Sequence, residues 1–259
     1  MTRRQFLPAI PFLLGSVTLV SSSQAAEKEN KPGNSGEEAK LGPASGTGAG
    51  SAEEAGFVPL FQEDGPPKGF RLGAWDDVSK PAPEGAVFTV KDGVLHGPTV
   101  RGCWLLSEKE YGDFILAYEF KLGPRGNSGC ALRAPLKGDP AFDGLEMQMA
   151  DVRYNPEAKP SELTGGFYRA AAPSSQVYKP EDWNQVRIEL RGSKAKVEIN
   201  GTTVQDIDFD TFKETVPRHD GTMATSLKER PRKGHIGFQE LSRGGGILLL
   251  RNAWIRELK

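Results

Sequence analysis

Short segments in which apolar and polar residues alternate make up most of the second half of the chain. In DFILAYEFKL, five large apolar side chains occupy even positions from Phe114 to Leu122, and Glu119 lies on the other face. A period of two residues is typical of a β-strand that buries one face. GLEMQMAD alternates in the same way, with Glu146 and Gln148 opposite a leucine and two methionines. These segments therefore predict strands with one apolar and one polar face.

Turn signals separate the predicted strands. Asp92-Gly93 and Asn200-Gly201 are dipeptides favoured in two-residue hairpin turns, and a further turn is predicted near Gly192-Ser193. GHIGFQE and the C-terminal ILLLRNAWIREL predict two more strands. No long segment has a helical period, and no internal repeat is visible. We therefore predict an all-β fold in which two antiparallel sheets form a sandwich.

The N-terminal segments have a different composition. Residues 1–26 combine a basic start, an apolar stretch and small residues before the last alanine, which predicts an export signal. Thr2-Arg3-Arg4-Gln5-Phe6-Leu7 also resembles a twin-arginine signal, and an ordinary secretory signal is the alternative. Residues 27–55 are rich in Gly, Ser, Glu, Lys and Ala, which predicts a flexible linker. We expect an exported bacterial protein, periplasmic or extracellular, with one folded domain at 56–259 and no stable membrane insertion.

Charge and cysteine content narrow the function classes. The net charge of −1 favours neither nucleic acid nor an anionic membrane as a partner. Cys103 and Cys130 both lie in apolar strand-like segments. An exported protein can form a disulfide between them, and two buried free thiols are the alternative. Protein partners are not indicated by any feature of the sequence.

The polar faces of the predicted strands carry an unusual set of side chains. A solvated outer face is usually rich in Lys, Thr and Ser, whereas these strands present Glu119, Arg133, Glu146 and Gln148. A curved sheet with such a concave face predicts a carbohydrate-binding groove, and an ion-paired outer face is the alternative. Convergence of these four residues with His235 in one pocket would favour an enzyme, and their dispersal would count against one.

Nine motifs, in order, resemble the bacterial 3-keto-disaccharide hydrolase domain. They are WDDV…VKDGVLHG, YGDFILAYEFKL, GNSGCALR, GLEMQMAD, TGGFY, WNQVRIEL, INGTTV, KGHIGFQE and LRNAWIREL. The resemblance covers residues 56–259. It implies a concanavalin A-like jelly-roll sandwich that acts on glycosides oxidised to a ketone at sugar carbon 3. Cleavage would occur by elimination or net hydrolysis, often helped by a divalent metal.

This chemistry assigns roles to the polar residues. A ketone at carbon 3 acidifies the proton on carbon 2, so the site needs a base, a group that stabilises the enolate oxygen and a proton source. Glu146 is the predicted base or metal ligand. Arg133 is predicted to bind the developing oxyanion, and an ion pair with Glu119 or Glu146 is the alternative. His235 is the third predicted catalytic residue, whereas His219 is expected to be solvated.

Six further side chains are predicted to bind the sugar: Glu119, Asn127, Gln148, Asp151, Tyr168 and Gln239. Asp151 is also the second candidate metal ligand, and a turn-capping aspartate is the alternative. For Asn127-Ser128-Gly129 we predict a short edge at which the backbone approaches the groove, because Gly129 has no side chain. The alternative is a plain turn.

One departure from the resemblance leaves two other functions open. The family usually continues Asp-His-Gly after the GHIGLQ motif, whereas this chain has Glu240-Leu241-Ser242. The loss of a histidine that binds metal or moves protons favours a non-catalytic carbohydrate-binding module. An ordinary laminarinase-like glycosidase is the nearest enzymatic alternative. Its paired carboxylates on one strand are replaced here by Glu146, Gln148 and Asp151, which weakens that mechanism.

Overall fold

The computed structural model describes residues 56–244 and 247–259, so the predicted export signal and linker lie outside the described residues. In chain order the strands there are β1 (Val58–Pro59), β2 (Phe70–Ala74), β3 (Thr89–Lys91), β4 (Val94–His96), β5 (Cys103–Tyr111), β6 (Phe114–Leu122), β7 (Asn127–Ala134), β8 (Leu145–Ala150), β9 (Asn184–Arg191), β10 (Lys194–Ile199), β11 (Thr202–Asp208), β12 (Val216–Pro217), β13 (Met223–Ala224), β14 (Gly234–Glu240) and β15 (Leu248–Glu257). A short α-helix, α1 (Pro140–Asp143), lies between β7 and β8. The 3-10 helices span Pro160–Glu162, Phe209–Thr211 and Leu227–Glu229.

Two antiparallel sheets form a jelly-roll sandwich, as predicted. The larger sheet has the order β11-β10-β9-β6-β15-β4-β3, with β1 paired to β15. The smaller sheet has the order β2-β5-β14-β7-β8. A separate hairpin pairs β12 with β13. Strand β8 therefore lies at an edge of the five-stranded sheet, and β7 and β14 are its nearest neighbours across that sheet.

The apolar faces of both sheets meet in one core. The even-numbered residues of β6 are all buried there, together with Cys130 and Leu132 of β7 and the leucine and methionines of β8. The ring of Tyr118 on β6 packs against that of Phe238 on β14, with 5.3 Å between the ring centroids. The predicted alternation is therefore confirmed for β6, for β8 and for Cys130 and Leu132 of β7, and Glu146 and Gln148 face away from the core.

The predicted hairpin turns form at the expected dipeptides. Asp92-Gly93 joins β3 to β4, and Asn200-Gly201 joins β10 to β11, with φ positive at all four residues. This backbone matches the twist of the paired strands, which is why Asn-Gly and Asp-Gly are favoured there. Cys103 and Cys130 are buried free thiols. Strand β14 lies between their strands, and burial raises the pKa of each thiol to about 12.

Among the described residues, no helix has the length and apolar content that crossing a bilayer requires.

Candidate functional site

A cavity of about 300 Å³ lies against the outer face of the five-stranded sheet. Its floor consists of side chains from β7, β8 and β14, the strands whose opposite faces form the core. Six predicted site residues line it: Asn127, Glu146, Gln148, Asp151, Tyr168 and Gln239. A volume of this size accommodates a small ligand such as a sugar.

Glu146 is the most unusual residue of the floor. Its side chain is 3% exposed, yet no described residue hydrogen-bonds its carboxyl group. Burial raises the pKa of Glu146 well above its ordinary value, and the negative charge of Asp139 adds to this effect. Arg230 opposes the shift, although it forms no ion pair with a carboxylate of the described residues. A buried, unpartnered carboxyl that faces a cavity is suited to accept a proton from a ligand.

Gly129 provides the space in which the Glu146 carboxyl lies. The two residues occupy adjacent strands, and a Cβ atom added to Gly129 would lie 1.8 Å from Glu146 Oε1. Asn127-Ser128-Gly129 begins a regular strand rather than forming a plain turn. A glycine at position 129 of β7 is therefore needed for the Glu146 side chain of β8 to take this position.

A second carboxyl group, that of Asp139, lines the same cavity. Asp139 caps α1, where its Oδ1 accepts a hydrogen bond of 3.0 Å from the Ala141 amide. Burial raises the pKa of Asp139 to about 7, despite this hydrogen bond. Asp139 was not predicted as a site residue from the sequence. Asp-Pro is a recognisable start of a helix, but nothing in the sequence indicates that this cap faces β8.

Three side-chain amides complete the polar floor. Asn127 is 5% exposed, and its Oδ1 is buried without a hydrogen-bond partner among the described residues. Gln148 Oε1 accepts a hydrogen bond from the Met149 amide, which leaves the Gln148 NH₂ group for a ligand. Gln239 of β14 lies on the same floor. A buried amide without a partner is costly, and a sugar hydroxyl would satisfy it.

Asp151 lines the cavity, but its carboxylate is already engaged. Both of its oxygens accept hydrogen bonds of 2.7 Å from Arg153, which also pairs with Glu181 at 2.9 Å. Burial alone would raise the pKa of Asp151, but the Arg153 hydrogen bonds lower it below its ordinary value. Asp151 Oδ1 also accepts a hydrogen bond from the Arg153 amide, which is the capping geometry of the alternative prediction.

One wall of the cavity is hydrogen-bonded to the edge of β8. Gln148 of β8 forms two backbone hydrogen bonds of 2.9 Å with the wall. Its carbonyl accepts from the Gly165 amide, and its amide donates to the Gly166 carbonyl. The Tyr168 amide donates to Glu146 O at 3.0 Å. The wall residues and Glu146 are therefore held in one register.

His219 belongs to an aromatic part of the wall and is exposed to solvent, as expected. The turn between β12 and β13 places it at the cavity wall, with its ring 5.6 Å from that of Trp75 and 5.8 Å from that of Tyr168. Partial burial lowers the pKa of His219, which favours its neutral imidazole. Two strands of two residues each are too short to give a readable pattern, which is why the sequence analysis missed this contact.

Arg133 does not face the cavity. It is fully buried at the far end of β7, where its guanidinium donates to Gly112 O (2.8 Å) and Gly192 O (2.7 Å) and pairs with Asp113 (2.9 Å). The register of β7 against β14 shifts at this point, and Arg133 has a φ of +53°. The bulge breaks the alternation from which a groove position was inferred. Arg133 therefore ties the connection between β5 and β6 to the hairpin turn between β9 and β10.

Glu119 and His235 also lie away from the cavity. Glu119 belongs to β6 in the eight-stranded sheet, so its polar face points away from the groove, and it binds Arg251 (2.8 Å) and Asn252 (3.2 Å). His235 lies near the start of β14, where its Nδ1 is 2.7 Å from Ser107 O. Of the five residues expected to converge, Glu146 and Gln148 do so and the other three do not.

The region that departs from the Asp-His-Gly motif has a structural role. The Glu240 carboxylate accepts hydrogen bonds from the Ser242 (2.8 Å) and Leu248 (2.9 Å) amides, and so closes the loop between β14 and β15. Leu241 follows it and lines the cavity. In the described part of the chain, no group of three His, Cys, Asp or Glu side chains is arranged to hold a metal. Because Asp151 is neutralised by Arg153, the residues present do not fit the implied divalent metal.

Comparisons with known proteins agree with the fold and with a carbohydrate-related family. The family model described as a 3-keto-alpha-glucoside-1,2-lyase-like domain matches residues 56–256. A structure of a candidate glycosyl hydrolase from Parabacteroides distasonis is 26% identical with a TM-score of 0.64, and the match covers 78% of this chain and 99% of that chain. No curated protein matches the chain.

Two other candidate glycosyl hydrolases from Parabacteroides distasonis share the fold. They are 20% and 23% identical to this chain, with TM-scores of 0.59 and 0.54. Each match covers 79% of this chain, and 95% and 84% of the respective structures.

Proposed function

Because the chain belongs to the 3-keto-alpha-glucoside-1,2-lyase-like domain family, we propose that it cleaves 3-keto-glycosides by abstraction of the proton on sugar carbon 2. The observation that carries this proposal is the Glu146 carboxyl, which is buried, free of hydrogen bonds from described residues and open to a sugar-sized cavity. Its raised pKa makes it a stronger base than an ordinary carboxylate.

The proposed reaction starts with transfer of the carbon 2 proton to the Glu146 carboxylate. The electrons of the broken C–H bond form an enolate whose charge rests on the carbon 3 oxygen. The NH₂ groups of Gln148 and Asn127 are the donors available to that oxygen, because neither donates a hydrogen bond to a described residue. They take the role that the sequence analysis gave to Arg133.

The enolate then expels the aglycone from carbon 1. The C1–O electrons leave with the aglycone oxygen, which takes a proton from Asp139. With a pKa of about 7, Asp139 is partly protonated at neutral pH and is suited to this role. The product is a 1,2-unsaturated 3-keto sugar. Water then adds across the double bond: its hydroxyl binds carbon 1, its remaining proton returns to Asp139, and Glu146 gives its proton back to carbon 2. Both carboxyl groups thereby regain their starting states, and the outcome is net hydrolysis.

We also propose that the protein works outside the cytoplasm. The basic and apolar character of residues 1–26 supports export to the periplasm or the medium of a bacterium. No step of the proposed reaction is routed through a metal.

The test is release of aglycone from a chromogenic 3-keto-glucoside and from its unoxidised parent. We expect turnover of the keto substrate by the wild-type protein and none of the parent. Glu146→Gln keeps the shape of the side chain but removes the base, so turnover should fall by at least about 10³-fold, the upper part of the range for a general base. Glu119→Gln is the matched control, because the carboxyl it alters lies on the opposite sheet.

The alternatives give different results in the same assay. Saturable sugar binding without product would identify a carbohydrate-binding module. Cleavage of the unoxidised parent would identify an ordinary glycosidase. Full activity of Glu146→Gln on the keto substrate would overturn the proposed base.

A further inference from the structure

One end of the cavity carries two positive charges that no carboxylate of the described residues neutralises with an ion pair. Arg101, Arg169 and Arg243 all line the cavity. Arg169 forms an ion pair of 2.7 Å with Glu162. Within residues 56–244 and 247–259, Arg101 and Arg243 form no ion pair with a carboxylate. Their charges are therefore available to a ligand.

The two free guanidinium groups converge on one residue, Tyr154. Arg101 Nη2 is 3.3 Å from the Tyr154 hydroxyl, and the Arg243 guanidinium lies 4.5 Å from the centroid of the Tyr154 ring. The remaining contacts of the Arg101 guanidinium are long hydrogen bonds of 3.4 Å to the Leu241 carbonyl. We call Arg101, Tyr154 and Arg243 the basic end of the cavity.

The nearby carboxylates do not cancel this charge. Asp151 is held by Arg153, so that its charge is already matched. Glu240 interacts electrostatically with Arg101, but its oxygens accept hydrogen bonds from two backbone amides, and it is buried outside the cavity lining. The single negative charge of Glu240 does not balance the positive charges of Arg101 and Arg243, so this end of the cavity has a net positive charge.

The unpartnered Asn127 amide connects this end to the proposed base. The Leu241 amide donates to the Asn127 carbonyl at 2.9 Å, so Asn127 lies beside the loop that contacts Arg101. On its other side, Asn127 begins the strand whose Gly129 accommodates Glu146. A ligand that satisfies the Asn127 side chain is thus bordered by Glu146 on one side and by the basic end on the other.

We infer that the preferred substrate is an anionic glycoside, whose carboxylate or sulfate group binds Arg101 and Arg243 while its ring lies over the amide floor. This inference rests on the proposed function and names its substrate class. Arginine recognises carboxylate and sulfate oxygens through paired, charge-assisted hydrogen bonds, and a neutral sugar cannot use them. The two guanidinium groups therefore favour the anionic glycoside over its neutral counterpart.

The experiment compares matched sugars by titration calorimetry of the full chain at low salt. Glucuronic acid and glucose 6-sulfate are compared with glucose, and 4-carboxyphenyl glucoside with phenyl glucoside. At least one anionic probe should bind about tenfold or more tightly than its neutral parent, as expected for hydrogen bonds to charged groups. The preference should shrink as salt is added. Comparison of the carboxylate probes with the sulfate probe identifies which of the two anionic groups the protein prefers.

The double variant Arg101→Gln, Arg243→Gln should lose the preference and keep the affinity for the neutral parent. Arg71→Gln is the matched control, because Arg71 is exposed on β2 and lies outside the cavity. Equal binding of anionic and neutral probes would overturn the inference, and so would a preference that survives in the double variant or the absence of binding by every probe. Turnover of neutral 3-keto-glucosides decides the proposed function separately.

Discussion

Replacing Gly129 with alanine tests the proposed base without altering any polar group. The φ angle of Gly129 is not in the left-handed region, so the backbone accommodates alanine without strain. The new Cβ would lie 1.8 Å from Glu146 Oε1, 2.7 Å from Cδ and 2.9 Å from Cγ. Non-bonded carbon contacts are optimal at about 3.5 Å or more, so the carboxyl must move by roughly 1.5 Å.

This displacement should affect the reaction far more than the fold. The obstructing atoms belong to a flexible side chain that opens onto a cavity, which can turn away into free space. Alanine is also better than glycine within a strand by roughly 0.5–1 kcal/mol, which offsets part of the crowding. A misplacement of about 1 Å can cost about 100-fold in rate. We therefore expect kcat/KM to fall about 100-fold while the free energy of unfolding changes by less than about 2 kcal/mol.

The measurements are initial rates of aglycone release from a 3-keto-glucoside and urea unfolding of both proteins. Gly112→Ala is the control, because its added Cβ would meet nothing closer than 3.9 Å. Wild-type kcat/KM in a folded Gly129→Ala protein would refute the reasoning, since the carboxyl would then not act from the position it occupies.

Two further predictions concern stability. The pKa of Asp139 rises from 3.8 to about 7 on folding, so the folded state binds this proton more tightly, and the resulting stability is lost as pH rises from about 4 to 7. Asp139→Asn keeps an acceptor for the Ala141 amide but cannot bind this proton. Between about pH 4 and 7, the free energy of unfolding measured with urea should therefore fall less steeply in the variant, by up to about 1.4 kcal/mol per pH unit. An unchanged slope would contradict the raised pKa of Asp139. Arg133→Met should lower the free energy of unfolding by about 2–4 kcal/mol, because Gly112 O and Gly192 O lose their donor, and should leave kcat unchanged below the melting temperature. Lost turnover in an Arg133→Met protein of normal stability would restore Arg133 as a catalytic residue.

Alternation along the sequence correctly predicted the orientation of side chains on regular strands, and it gave the wrong orientation where a strand has a bulge. Strand β8 has no bulge, so its alternation correctly oriented Glu146 and Gln148 away from the core. Strand β7 has a bulge before its end, and a shift of one residue reverses which face a side chain occupies. The outward position inferred for Arg133 was wrong for this reason. A bulge at a polar residue has no distinct sequence pattern.

Alternation also does not show to which of the two sheets a strand belongs. Glu119 alternates as clearly as Glu146, but the outer faces of the two sheets point in opposite directions. Asp139 and His219 reach the cavity from a helix cap and a hairpin turn, whose positions depend on tertiary packing rather than on local periodicity. The polar floor and Tyr168 could therefore be predicted from the sequence, and the positions of Asp139 and His219 could not.

The edge position of β8 has a consequence for how this cavity can diversify. A strand at the edge of a sheet exposes unpaired amides and carbonyls to other chains, and here the residues from Gly165 to Tyr168 cover them. The rim between Asp151 and Leu163 can therefore lengthen or shorten in evolution without uncovering that edge. Substrate preference can change at the rim while the acidic side chain beneath it keeps its alignment.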